Sequence, residues 1–76
     1  MSYERIAEAL VSRRRMLSLT QDEVASLAGI DRRTLGLFEN GIGTRGISLR
    51  NLLSLCDVLG LDLAVSPKIG QNDDPR

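Results

Sequence analysis

Histidine is absent from these 76 residues, and cysteine occurs once, at Cys56. No intramolecular disulfide can form, and a lone cysteine on an apolar helix face reads as core rather than as a redox centre. A zinc site draws mainly on histidine and cysteine, so no metal is expected. Aromatic residues make up only 3% of the chain, which leaves a core to be built from Leu, Ile, Val and Ala. No apolar run is long enough to span a membrane or to form the centre of a signal peptide, so the expected compartment is the cytoplasm. A nucleophile–base pair is also missing. The glycine segment GIGTRG has neither a preceding strand nor a Walker lysine, so it makes a poor phosphate cradle. The reading is therefore a non-enzyme without a cofactor.

Net charge is lacking too: ten basic residues cancel ten acidic ones. That argues against indiscriminate binding to nucleic acid through a wholly basic surface. The distribution is uneven, however. Met1 to Arg50 holds eight arginines against six acids, and the remainder holds two bases against four acids. A local basic face in the first part stays open. The hydrophobic fraction, 42%, suits a folded chain. A chain of this size is one small domain with a limited core, which a partner subunit would extend.

Helical periodicity dominates the first sixty positions. In SYERIAEALVSRRRMLSLT, Ile6, Leu10 and Leu17 recur at helical spacing with Ala7 and Ala9 beside them, Ser2 is placed to cap, and Arg13, Arg14 and Arg15 fall near the C-terminal end, where positive charge suits the helix dipole. Thr20 and Glu23 form a capping box for a second helix, whose apolar face reads as Val24, Leu27 and Ala28, and Gly29 ends it. Asp31 caps a third helix with Leu35 and Phe38 inward, stopping at Asn40-Gly41. After the glycine-rich loop, Ser48 caps a fourth helix with Leu49, Leu52, Leu53, Cys56 and Leu59 as its buried stripe. Gly60 breaks the pattern. LDLAVS then alternates, with Leu61, Leu63 and Val65 on one side, and Pro67 ends it. A lone strand leaves its edges unpaired. It pairs with the same strand of a second copy, or it runs back over the core as extended chain. The remaining tail is polar and reads as disordered.

Two short helices joined by a tight glycine turn make a helix-turn-helix candidate. Ala25 is small enough for close helix crossing, Gly29 supplies the turn, and Leu35 with Phe38 anchors the second helix. On these residues LTQDEVASLAGIDRRTLGLFENG resembles the helix-turn-helix of the phage-repressor-like, xenobiotic-response-element family of bacterial regulators. The shared features are Thr20-Gln21, Ala25, Gly29, Thr34, Leu35, Phe38-Glu39 and Asn40-Gly41. The segment GTRGISLRNLLSLCDVLGLDLAVSP is similar, less specifically, to the HipB-type antitoxins that pair with HipA-type kinase toxins and follow their helices with a dimerising strand.

The resemblance implies an all-α fold: a four-to-five-helix lambda-repressor-like domain over 1–60, one short dimerising β-strand over 61–67 and a disordered tail over 68–76. It implies base contacts from Arg32 and Arg33, each able to pair with guanine O6 and N7. The sequence departs from the family pattern at Gly36 and Leu37, where many relatives carry polar readers: Gly36 would let the backbone approach the groove, and Leu37 would touch thymine methyls or pack against a protein partner. Gln21, Thr34, Asn40, Thr44 and Arg45 would hold phosphates. Arg14 would pair with Glu39 as a structural ion pair. Leu61, Leu63 and Val65 would dimerise the chain. Outside the motif, paired surface arginines would read as an ordinary solvated face. Arg13 and Arg15 serve phosphate contact or solubility, and Arg50 reads as surface. The implied function is a sequence-specific repressor of double-stranded DNA, binding inverted-repeat operators as a homodimer and autoregulating a HipBA-type toxin–antitoxin operon. The alternatives are a stand-alone transcriptional regulator and a protein-neutralising module.

Overall fold

A computed structural model describes residues 2–41 and 46–68. Among them are four α-helices: α1 (Tyr3–Met16), α2 (Gln21–Ala28), α3 (Arg32–Glu39) and α4 (Leu49–Leu59). Each begins at a side-chain cap. Ser2 Oγ accepts the Arg5 N–H, Asp31 Oδ1 accepts the Arg33 N–H, and Ser48 Oγ accepts the Asn51 N–H. At α2 the capping box is complete, with Thr20 Oγ1 accepting the Glu23 N–H at 3.0 Å and Glu23 Oε1 accepting the Thr20 N–H at 2.8 Å. Gly29 and Gly60 close α2 and α4 at φ 71° and 67°, in the left-handed region where a Cβ is costly.

The helices pack around one core, α2 against α3 and α4, and α1 against α3 and α4. Ala7, Leu10, Val24, Ala25, Leu35, Phe38, Leu52, Leu55, Cys56 and Leu59 are buried there. Ala25 is 1% exposed, so α2 touches its neighbours through a methyl rather than a long side chain. Tyr3 adds an aromatic contact, its ring centroid 5.4 Å from that of Phe38 and tilted by 56°. Burial raises the Cys56 thiol pKa, and Asp57 and Asp62 raise it further. The thiol therefore stays neutral in the core.

Three details of the expected apolar faces are corrected. Leu27 is 67% exposed; the buried face of α2 runs through Val24, Ala25 and the half-buried Ala28, and Leu27 falls outside that arc at about 100° per residue. On α4, Leu49 and Leu53 are 65% and 45% exposed, and Leu55 is fully buried instead. Leu49 is the first residue of its helix, and Leu53 lies about 100° round from Leu52. Leu17 is the C-cap of α1 and 41% exposed, so the apolar spacing read to that point runs one residue past the helix.

The strand expected over 61–67 is not formed among the described residues of one chain. A ladder needs a second backbone to bond to. Leu61 and Leu63 are half-buried against the core, with Asp62 and Ala64 exposed between them, and Val65 is 89% exposed. The alternation is real as far as Leu63, and there it packs Leu61 and Leu63 on the helices. The tail expected over 68–76 lies, after Lys68, outside the described residues.

Candidate nucleic-acid interface

The α2–turn–α3 unit is held together from inside. Leu35 and Phe38, three apart on α3, are 1% and 2% exposed. They leave Arg32, Arg33 and Leu37 on the exposed side, with Gly36 half-buried between. At the turn, the Ile30 N–H donates to the Ala25 carbonyl at 3.0 Å, which closes the corner across Gly29.

Glu39, the last residue of α3, ties three elements together. Arg14 from α1 grips it with two parallel bonds, Nε to Oε2 at 2.7 Å and Nη2 to Oε1 at 2.8 Å. The remaining arm of Arg14, Nη1, donates to the Leu19 carbonyl at 2.9 Å and so fixes the α1–α2 link. Gln21, the first residue of α2, donates Nε2 to Glu39 Oε1 at 2.9 Å. The two charged side chains are only 12% and 5% exposed, so water screens them little. Burial works against ionisation of Glu39, and the bonds from Arg14 and Gln21 with the Arg14 charge outweigh it, holding the carboxyl below the ordinary carboxylate range. Arg14 is shifted up, chiefly by its bond to Glu39.

On the outer side, Arg32 Nε lies 3.2 Å from Asp22 Oδ1, an ion pair with both side chains well exposed. Gly36 faces this group: a Cβ built there would stand 3.9 Å from Gln21 Oε1 and 4.0 Å from Arg32 Nη1. Arg33 is exposed beside Arg32, Thr34 is half-buried, and Asn40 is exposed at the C-cap. Thr44 and Arg45 lie outside the described residues. Leu61, Leu63 and Val65 are on the separate segment after α4.

Two roles were not legible in the sequence. Arg13 donates Nε to the Leu59 carbonyl at 2.8 Å, capping the end of α4 across 46 positions of chain. Asp22 meets Arg32 across the turn. Neither follows from local spacing, because each joins different helices. Among the described residues no group of three metal-ligating side chains comes together, and no helix is long and apolar enough to cross a membrane.

The helix-turn-helix family model matches residues 10–65. Two solved structures superpose with a TM-score of 0.76 at 25% identity, each covering 88% of this chain and 92% of its own: one described as MDT protein, the other a HipA–HipB–O2–O3 complex. A comparison with curated proteins gives no match. From the described geometry and the family match together, the chain belongs to the helix-turn-helix family of the xenobiotic-response-element type, with HipB-type proteins as structural neighbours.

Proposed function

We propose that this protein is a sequence-specific transcriptional repressor that reads an inverted-repeat operator as a homodimer and serves as the autoregulating antitoxin of a HipA-type kinase. The observation that carries the reading is the arrangement of α3. Its inner face is anchored by Leu35, Phe38 and Glu39, while Arg32, Arg33 and Leu37 stay open to solvent. A helix positioned so firmly and left bare on one side suits insertion into a major groove. Arg32 and Arg33 read guanines. Gly36 and Leu37 pass close to the bases, with Leu37 against thymine methyls. Gln21 meets a phosphate through its backbone N–H at the start of α2, its side-chain amide being engaged by Glu39. Thr34, Asn40, Thr44 and Arg45 hold the backbone on either side.

The partner reading rests on likeness to the HipA–HipB–O2–O3 complex. In a dimer, the segment 61–67 pairs with its counterpart in a second copy, which satisfies its edges and covers Val65. The protein then acts in the cytoplasm, on the nucleoid when bound. A stand-alone regulator would keep the DNA reading and lack the kinase. A protein-neutralising module would keep the kinase and lack sequence preference.

Selection of bound duplexes from a random pool at physiological salt tests the reading. The expected result is enrichment of an inverted repeat with half-site centres about one helical turn apart. Failure to enrich any sequence would remove the repressor reading and leave the protein-binding one. Co-purification with a co-expressed HipA-type kinase then decides the antitoxin role.

A further inference from the structure

We infer that Asp22 is a positioning residue for Arg32, and so sets the base preference of a residue it lies beside but does not itself replace at the DNA. The inference rests on the proposed reading of α3 as the recognition helix. Asp22 meets the guanidinium at Nε, 3.2 Å from its Oδ1. That leaves Nη1 and Nη2, the forked end whose spacing matches guanine O6 and N7. Gly36 keeps the space next to the fork clear: a Cβ built there would stand 4.0 Å from Arg32 Nη1 and 3.9 Å from Gln21 Oε1.

Apart from a charge in the first turn of α2 that suits the helix dipole, Asp22 has no other evident duty. The cap of α2 is already made by Thr20 and Glu23. The side chains of Asp22 and Arg32 are 83% and 59% exposed, and ion pairs so exposed add little to folding. What such a pair does is limit the rotamers of a long side chain before binding, so that less freedom is lost when the contact forms. A carboxylate on a DNA-facing surface also repels phosphates. The two effects have opposite signs. Orientation favours the correct base, and repulsion weakens binding to every sequence alike.

This separates a positioning role from a purely electrostatic one. The experiment uses the full chain and the selected operator, with the four base pairs substituted in turn at each half-site position, alongside a random duplex. Arg32→Ala first marks the position that Arg32 reads. Asp22→Ala should lower guanine preference at that same position by at least about threefold, leave other positions unchanged, and raise affinity for the random duplex about twofold. Asp22→Glu should restore part of the preference. In an Arg32→Ala background, Asp22→Ala should change random-duplex affinity and leave preference alone. Unchanged guanine preference in Asp22→Ala would overturn the inference and reduce Asp22 to a local charge. An equal loss of preference at every position would overturn it as well, because α3 itself would have moved. A wild-type protein with no preferred sequence would sink the recognition reading and this inference together, and that outcome is distinct from either.

Discussion

The inner and outer faces of α3 obey different rules within eight residues. On the inner face Leu35 and Phe38 are almost fully buried and Glu39 accepts three hydrogen bonds from two other helices. On the outer face Arg32 has one exposed ion pair, Leu37 is 40% exposed, and Gly36 has no side chain at all. Every inner residue favours the folded state. On the outer face, glycine in a helix interior costs about 1 kcal/mol relative to alanine, and an exposed leucine gains little from folding. The inner face fixes where the helix is, and the outer face is released from that task and open to another.

The comparison can be broken hardest from inside. Phe38→Ala should cost about 3–5 kcal/mol, from lost transfer energy and the cavity left behind. In a domain this small that is most of the stability, so urea denaturation should find the variant largely unfolded. A loss below 1 kcal/mol would mean that α3 is not anchored there.

Glu39→Gln should cost about 2 kcal/mol, less than outright removal, because the amide oxygen still accepts one bond while Arg14 loses its charge partner. The pH dependence has a definite sign. A carboxyl whose folded pKa lies below its unfolded one binds fewer protons when folded, so its stabilisation is complete above the ordinary value of 4.5 and is lost as pH falls through the folded value. Urea midpoints measured from neutral pH downward should fall in the wild type below that range, and this part of the fall should be flatter in Glu39→Gln. Parallel acid limbs would show that the pair carries no linkage.

Gly36→Ala should have the smallest effect on folding and the opposite sign. Its φ is not in the left-handed region, and the added Cβ would meet only ordinary contacts at 3.9 and 4.0 Å. Stability should rise by up to about 1 kcal/mol, read as a higher thermal midpoint, while operator affinity falls. A gain in both would mean that the DNA backbone and bases do not approach Gly36 closely.

How much of this was legible in the sequence follows from the range of each interaction. Caps were legible because their chemistry spans three or four residues: Ser2, Thr20 with Glu23, Asp31 and Ser48 all act on neighbours. Leu35 and Phe38 were legible because their spacing matches the helix. The position of the buried arc on α2 and α4 was not, since several leucines fit a short periodic pattern and only the neighbouring helices choose among Leu49, Leu52, Leu53 and Leu55. Arg14 with Glu39 came from family resemblance and not from spacing; they stand 25 positions apart. Gln21 showed its place at the start of α2, but not the bond that ties its amide to Glu39. Arg13 on Leu59 and Asp22 on Arg32 carry no local mark at all. The alternation in LDLAVS was visible, yet a strand also requires a partner backbone, and period-two spacing carries no information about one.

The most direct measurement is base preference of Arg33→Ala on the selected operator, taken with its urea stability. Discrimination should relax at one position per half-site with a loss of about 1–3 kcal/mol in binding, while stability stays within about 0.5 kcal/mol of the parent. Unchanged preference at every position in a folded variant would contradict the assignment of α3 as the reading helix.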